Sequence, residues 1–359
     1  MANVRHRSTE IRQFILEHIT EHPRDIVQLT AETFGISRQG VHRHIQSLRR
    51  QNILSVHGTT RSRRYELRPL VEFVKEYSLQ TPLREDIVWR CDIRPVLRAL
   101  PENAIDIWQY GFTEMLNNAI EHSAGERVMV SVTQTALTTH MLISDNGVGI
   151  FKKLQRELGL ENERHAMLEL AKGKVTTDPA HHTGEGIFFT SRMFGYFLIT
   201  SGNVVFTHEW RKVEDAEASD VIIEGDQPHE GTLVSMNLTN TVSWTSKDVF
   251  DQFTSEGDFG FTKTIVPVRL AQYGDEKLVS RSQAKRLLAG IDRFTMVWLD
   301  FEGVDMIGQA FADEVFRVFV EEHPQVQLLV SGVGTPVEHM IRWAAGPRAQ
   351  AILRNEAVT

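Results

Sequence analysis

Cysteine is nearly absent from this chain of 359 residues, which contains Cys91 alone. A single cysteine excludes a disulfide scaffold and any CxxC zinc or redox motif, and we expect it to be a reduced, buried thiol. Uncharged apolar runs of the roughly 20 residues that cross a bilayer are also missing. The start, MANVRHRSTE, has no apolar stretch behind its basic residues, which disfavours a signal peptide. These absences predict a cytoplasmic protein that does not bind membranes.

Lysine is absent from the first 70 residues, although this segment is rich in arginine. Twelve arginines against six acidic residues give residues 1–70 a formal charge of +6, whereas the rest of the chain sums to −14. An arginine-rich head on an acidic body favours a phosphate-bearing partner for the head only. A solvated basic surface is the alternative that charge alone leaves open.

Three helices and two strands are predicted within this head. Apolar spacing indicates helices at 8–20, 25–34 and 38–50, followed by strands at 53–56 and 64–67. The second and third helices are separated by a turn glycine and the helix-capping Ser37. This pattern resembles the winged helix–turn–helix of bacterial transcription regulators, and the resemblance implies that the third helix enters the major groove of duplex DNA.

The resemblance also implies which polar side chains face the DNA. The third helix would read base edges and phosphates, and the wing would contact the backbone or the minor groove. The candidate contacts are Arg38, Gln39, His42 and Arg43 on the third helix, and Arg61, Arg63 and Arg64 in the wing. A winged helix used for protein contacts is the alternative, but the density of arginine favours DNA.

The middle of the chain predicts an α+β sandwich. Residues 71–100 are interpreted as a connector with mixed helical signals, and residues 102–122 as a long amphipathic helix. A further helix is predicted to start near residue 186. The predicted strands are 128–133, 140–144, 196–200, 204–210, 221–224 and 232–238. Helix, strands, glycine-rich loop, helix and strands in this order favour helices packed on one sheet.

Three short motifs in this region carry groups suited to a phosphorylated ligand. Glu114 and Asn118, four residues apart, share one face of the long helix, where a carboxylate can orient water and an amide oxygen can ligate a hard cation. The motif DNGVGI places Asp145 at the end of a strand. The motif HTGEGI precedes a helix, so free N–H groups at that helix start would face an anion. Each motif alone is common, and their order and spacing make the combination specific.

The combination resembles the Bergerat-fold ATP-binding domain of the GHKL superfamily, over roughly residues 84–240. The resemblance implies ATP and Mg²⁺ as ligands. Asn118 would ligate the metal ion, Asp145 would accept a hydrogen bond from the adenine amino group, and Glu114 would orient water in members that hydrolyse ATP. The other implied ATP contacts are Gly147, Gly149, Gly184, Gly186, Ile187 and Thr232.

The polar stretch 151–183 would form a lid over the ATP in this resemblance. Lys172, Lys174, His181 and His182 lie in the stretch and could reach phosphates. Solvated charges on the lid surface are the alternative for all four side chains.

The activity that accompanies ATP binding differs between branches of this superfamily. A sensor histidine kinase is disfavoured, because no histidine that could accept a phosphoryl group lies between His57 and His122. An ATP hydrolase and an anti-sigma-type protein serine/threonine kinase acting on a partner protein both stay open. Glu114 is the candidate catalytic residue for the hydrolase.

The last hundred residues alternate strands and helices and resemble a STAS-like domain. The resemblance rests on the buried strand 297–304, with its acidic end, and on residues 308–313, which open a helix. In anti-sigma antagonists of this type a serine or threonine at that helix start is phosphorylated. Residues 306–310 carry no hydroxyl group, so the resemblance implies no phosphorylation switch. A plain α/β dimerisation module is the alternative.

The sequence therefore predicts a multidomain α+β protein with three folded parts. A winged helix–turn–helix spans 1–70, a connector 71–100, a Bergerat-fold α/β sandwich 101–245, and a small α/β STAS-like domain 257–350. We expect a cytoplasmic regulator that couples ATP occupancy to DNA binding. A protein partner for the STAS-like tail and a homodimer are both allowed.

Overall fold

The computed structural model describes residues 2–59, 62–175, 184–210, 218–254, 260–272 and 277–353. The chain is mixed α/β and contains a two-stranded, a five-stranded and a three-stranded sheet within these residues. No helix in the described ranges combines the length and the apolar character of a membrane span.

The N-terminal unit consists of three helices and a hairpin. Its helices are α1 (Ala2–His18), α2 (Ile26–Phe34) and α3 (Arg38–Arg50), and its antiparallel strands are β1 (Leu54–His57) and β2 (Arg64–Leu67). Gly35 ends α2 in the left-handed conformation, and the Ser37 side chain caps α3 by accepting from the Gly40 N–H at 3.1 Å. The predicted order of elements in the head is therefore confirmed, with ends that differ by a few residues.

Residues 71–78 are a strand, where the sequence predicted a connector with helical signals. Strand β3 (Val71–Ser78) pairs along its whole length with β4 (Arg127–Gln134) in antiparallel register. Phe73 and Tyr77 point to the covered side of the sheet, whereas the exposed Val74 interrupts the alternation that would have identified a strand. A short helix, α4 (Glu85–Val88), and one π-helical turn (Trp89–Ile93) then lead towards the long helix.

A five-stranded sheet is the central element of the second unit, which follows the N-terminal unit in the chain. Its strand order is β3-β4-β5-β7-β6, with β5 (Thr138–Asp145), β6 (Tyr196–Trp210) and β7 (Ala218–Thr239). Strands β6 and β7 are longer than predicted. Register shifts near Ser201 and Gly202 interrupt their pairing only locally, and the two strands continue to pair beyond these residues.

Helices pack against this sheet on one face. They are α5 (Glu102–His122), α6 (Ile150–Glu157), α7 (Glu163–Lys172) and α8 (Gly186–Met193), followed by α9 (Ser246–Gln252). Helix α5 buries an apolar stripe that includes Trp108, Phe112 and Met115, which is the stripe that the 3.6-residue period predicts. The helix-on-sheet arrangement places Glu114 and Asn118 above the end of β5.

The C-terminal unit is a small parallel sheet with helices on it. Strands β8 (Lys263–Pro267), β9 (Met296–Asp300) and β10 (Gln327–Ser331) lie in the order β10-β9-β8. The helices are α10 (Arg281–Leu288), α11 (Gln309–Asp313), α12 (Phe319–Glu322), α13 (Thr335–Ala345) and α14 (Ala349–Ile352), with a π-helical turn (Glu314–Val318) between α11 and α12. The alternation of strand and helix predicted for this region is confirmed.

Within the part of the chain that the structure describes, the buried apolar side chains fall into two clusters. One belongs to the N-terminal unit, with Ala136 of the β4–β5 turn packed against it. The other runs without a break from Tyr77 to Ile352, so the five-stranded sheet unit and the C-terminal unit share one core. Motion of one of these two units is therefore expected to affect the other, whereas the N-terminal unit has a core of its own.

The expectation of a buried cysteine is wrong. Cys91 is exposed, because the π-helical turn directs Trp89 and Ile93 into the core and leaves the side chain between them in solvent.

Since the thiol is accessible in the native state, we expect one equivalent of thiol per chain to react with Ellman's reagent without denaturant. The rate should lie within about tenfold of that of the unfolded chain. A Cys91→Ser variant is the control and should give no signal. A thiol that reacts only after denaturant is added would contradict the exposed position.

Candidate functional site

A cavity of about 310 Å³ lies between α5, the end of β5 and the start of α8. This volume falls at the lower end of the range for small-molecule sites, roughly 300–1,000 Å³. The cavity brings together three motifs that are far apart in the chain. Of the residues predicted to bind ATP, its wall contains Glu114, Asn118, Asp145, Gly184, Gly186, Ile187 and Thr232.

The carboxylate of Asp145 is the anchor at one end of the cavity. The residue is 7% exposed, and its Oδ1 accepts hydrogen bonds from the backbone N–H groups of Gly147 at 2.8 Å and Thr232 at 3.3 Å. Among the described residues no hydrogen-bond partner is seen for Oδ2. Burial raises the pKa of Asp145, and the two N–H groups partly oppose the rise. A carboxylate held this way presents one oxygen as an acceptor for a ligand.

Glycines shape the turn behind Asp145 and do not themselves line the cavity. A Cβ on Gly147 would overlap the Ser123 carbonyl oxygen, and a Cβ on Gly149, whose φ is +84°, would overlap the Ser201 hydroxyl. Gly231 was not predicted as a site residue, yet its φ is +74° and a Cβ there would overlap the Asp145 carbonyl oxygen. These three glycine positions therefore have no room for a side chain.

Thr232 links β7 to the start of α6. Its hydroxyl accepts a hydrogen bond from the Ile150 N–H at 3.0 Å, while its own N–H donates to Asp145. The two bonds hold the DNGVGI turn on the end of the sheet. Thr232 thus positions Asp145 in addition to lining the cavity.

The Glu114 carboxylate and the first turn of α8 meet at the other end of the cavity. Glu114 lies so close to Gly186 that a Cβ on this glycine would overlap Glu114 Oε2. Burial, followed by the charges of Glu114 and Glu185, raises the pKa of the neighbouring Tyr110. Asn118 lines the wall one turn further along α5. Carboxylate, amide and a helix N-terminus therefore share one end of the site.

Gly184 lies two residues before α8 and packs against Val175. Its φ is +71°, and a Cβ there would overlap the carbonyl group of Val175. The Val175 N–H donates to the Gly184 carbonyl at 3.1 Å, so the chain leaves at 175 and returns at 184 to the same point on the wall. His181 and His182 lie outside the described residues.

Lys172 does not reach the cavity, contrary to the expectation that it could contact phosphates. Its side chain is fully buried and its ammonium group donates to Glu169 and to carbonyls of α10. Lys174 lies over the rings of Phe294 and Phe261, at 4.8 and 5.5 Å from their centroids. Both lysines therefore contact the C-terminal unit.

Lys153 is a cavity residue that the sequence interpretation missed. It lies on the wall together with His122, and its Nζ donates to the His122 carbonyl at 3.2 Å. Among the described residues it is the one lysine or arginine on the wall. Its position one helical turn after Gly149 is a local signal that could have identified it.

The described residues contain no group of three or more histidine, cysteine or acidic side chains that could hold a metal by themselves. Mg²⁺ usually binds through one or two protein oxygens together with ligand phosphates and water. Asn118 beside the cavity fits such a site, whereas a metal cage made of protein groups alone does not fit.

The N-terminal unit exposes most of the side chains predicted to contact DNA. Arg38, Gln39 and Arg43 are exposed along α3, and His42 is half-buried. Arg38 donates to the Gln28 side chain at 3.4 Å. On the hairpin Arg63 and Arg64 are exposed, and Arg61 lies outside the described residues.

Comparison with protein families identifies the C-terminal unit. A family model described as a STAS-like domain of unknown function (DUF4325) matches residues 283–338, so this part of the chain is STAS-like, as expected. The match spans α10 to the first turn of α13. None of the curated proteins compared with the chain matches it.

Gly147→Ala should destabilise the protein, because the new methyl group would overlap the backbone of Ser123. Forcing one methyl group into a closed site costs about 1–3 kcal/mol. Urea denaturation would measure the change in the free energy of unfolding. Gly195→Ala is the matched control, since its Cβ would meet its neighbours at ordinary van der Waals distance. Equal stability of the two variants would show that the turn behind Asp145 is not closely packed.

Proposed function

We propose that this protein is an ATP-binding regulator in which a GHKL-type pocket controls a DNA-binding winged helix in the cytoplasm. The observation that carries the proposal is the convergence of Asp145, Asn118 and Glu114 with the N-terminus of α8 around one cavity. Chance placement of three sequence motifs rarely brings their polar groups to a single wall. The resemblance to the Bergerat fold explains the convergence.

Recognition of the base is assigned to the Asp145 end of the cavity. Its Oδ2 would accept a hydrogen bond from the adenine amino group, while Oδ1 is held by backbone N–H groups. The apolar wall beside it includes Ile143, Ile199 and Val234, which suits a flat aromatic ring. A buried carboxylate rejects ligands that offer no donor at this place.

Binding of the phosphates is assigned to groups further along the cavity. Asn118 would supply an oxygen ligand to Mg²⁺, and the backbone N–H groups that open α8 at Gly186 suit an anion. Lys153 adds a positive charge on a wall that also carries Glu114 and Glu185. The metal ion would offset the charge of these carboxylates when the ligand is bound.

An enzyme is the second candidate, either an ATP hydrolase or an anti-sigma-type protein serine/threonine kinase acting on a partner. The position of Glu114 against the start of α8 favours the hydrolase, because a carboxylate at the phosphate end can orient water. Measurement of phosphate release with and without DNA distinguishes an enzyme from a switch without turnover.

DNA binding is assigned to α3 and the hairpin. Three polar residues on α3 and two arginines on the hairpin are exposed and available to DNA. The formal charge of +6 over residues 1–70 supplies the electrostatic attraction.

Asp145→Asn should weaken ATP binding by at least about 30-fold, because replacing the acceptor leaves a buried polar group unpaired at a cost of about 2 kcal/mol.

Lys153→Met should weaken the binding of ATP and ADP by about tenfold or more but leave the binding of adenosine unchanged. Calorimetric titration of each variant with ATP, ADP and adenosine measures both effects.

Two exposed residues serve as matched controls for this titration. Asp106→Asn on α5 and Lys152→Met beside Lys153 alter the same types of side chain away from the cavity wall. Both should bind ATP like the wild type. An Asp145→Asn variant with unchanged affinity would refute the assignment of the base site.

The N-terminal unit should bind duplex DNA with an affinity that falls steeply with salt. Arg63→Ala combined with Arg64→Ala should lower the slope of log K against log salt by about 0.9 for each phosphate that the protein no longer neutralises. Arg43→Ala should in addition relax sequence preference if it reads a base. Arg127→Ala, an exposed arginine of β4, is the control. Absence of binding to any genomic fragment at about 50 mM salt would favour a protein-binding winged helix.

A further inference from the structure

The cavity wall and the STAS-like unit meet at the end of α7. Leu170 and Val175 line the cavity, and Lys172 between them points the other way, into the STAS-like unit. A shift of this segment on the cavity side must therefore displace the Lys172 side chain on the other side.

The ammonium group of Lys172 is buried at this junction and fully engaged. It donates to Glu169 Oε1 at 2.6 Å and to the carbonyls of Arg286 and Ala289 at 2.9 and 3.0 Å. These two carbonyls belong to the C-terminal end of α10, where backbone acceptors lack partners within the helix and the dipole attracts a cation. Lys172 thus caps a helix of the STAS-like unit from outside it.

The backbone at Lys172 is attached as firmly as its side chain. The buried Thr264 hydroxyl, on β8, donates to the Lys172 carbonyl at 2.6 Å. At the edge of the junction, Arg286 forms an ion pair with Glu161 at 2.9 Å. Because a buried charge that loses its partners is costly, α7 and α10 are expected to move together.

A second junction lies at the start of α8. Phe188, in the first turn of α8, packs against Phe261 and Phe253 with ring centroids 4.5 and 5.0 Å away. Phe261 in turn contacts Phe294, which precedes β9. The two junctions flank the points where the chain leaves and rejoins the wall, at Val175 and Gly184.

The N-terminal unit, by contrast, contacts the opposite end of the sheet. It packs on Ala136 in the β4–β5 turn, and the Leu70 N–H donates to the Gln134 carbonyl at 2.7 Å. Strand β5 separates this turn from Asp145 by about 24 Å, at about 3.4 Å per residue. No described residue of the N-terminal unit lines the cavity.

We propose that the STAS-like unit is the part of the chain that senses occupancy of the cavity, through the capping of α10 by Lys172 and the packing of Phe188. The inference rests on the proposed function in one respect, that a nucleotide fills the cavity. It adds that the fused STAS-like unit regulates the site from within the chain.

Hydrogen–deuterium exchange of the full chain, with and without ATP and Mg²⁺, tests the proposal. In the wild type, nucleotide should slow exchange of the α10 amides at least about threefold, although no α10 residue lines the cavity. Lys172→Met keeps the aliphatic part of the side chain and removes the charge. It should bind ATP but lose the effect on α10, whereas Lys152→Met, exposed on α6, should behave like the wild type.

The outcomes separate this inference from the proposed function. Slowed exchange at Thr232 and Gly147 with no effect on α10 in the wild type would overturn the inference and leave nucleotide binding intact. An effect on α10 that persists in Lys172→Met would overturn the role of Lys172. No calorimetric heat and no slowed exchange anywhere would refute the nucleotide site itself, and the inference with it.

If Lys172→Met does not fold, Arg286→Gln is the substitute variant. It removes the ion pair with Glu161 at the edge of the junction and leaves the buried cap in place. In this variant, the slowing of α10 amide exchange by ATP should be less than about half of that in the wild type. An undiminished effect would count against transmission through this junction.

Discussion

The burial of one carboxylate, that of Asp145, constrains much of the middle of the chain. A carboxylate at 7% exposure must be hydrogen-bonded, and its partners are backbone N–H groups of Gly147 and Thr232. Gly231, directly before Thr232, has no room for a Cβ beside Asp145, and Gly147 has none beside the Ser123 carbonyl. The DNGVGI turn, the start of α6 and Thr232 of β7 are thus held around one carboxylate. This carboxylate also forms part of the cavity wall.

The shared core explains how a local site could have distant consequences. The five-stranded sheet unit and the STAS-like unit are packed together without a break, and Lys172 and Phe188 are side chains of this interface that adjoin the cavity. Closely packed interiors transmit displacement instead of absorbing it. The N-terminal unit has its own core and contacts the sheet through the short link into β3 and through the β4–β5 turn.

The two lysines of this region show where sequence interpretation fails. Lys172 lies in the stretch expected to cover a nucleotide, yet it is buried against α10. Lys153 lies in the same stretch but was not named as a ligand contact, yet it lines the cavity. Spacing along a helix identifies which side chains share a face, but it does not say which neighbouring unit covers that face.

The sequence alone determined the three-helix-and-hairpin order of the head, the alternation of strand and helix in the tail with its STAS-like character, the Glu114–Asn118 pair and the position of Asp145 at a strand end, because these features follow from local periodicity and motif spacing. Only the tertiary structure decided that β3 joins the sheet, that Cys91 faces solvent and that Lys172 caps α10. Each of these depends on contacts between residues distant in the chain, and local propensity carries no information about which distant surface will be the partner.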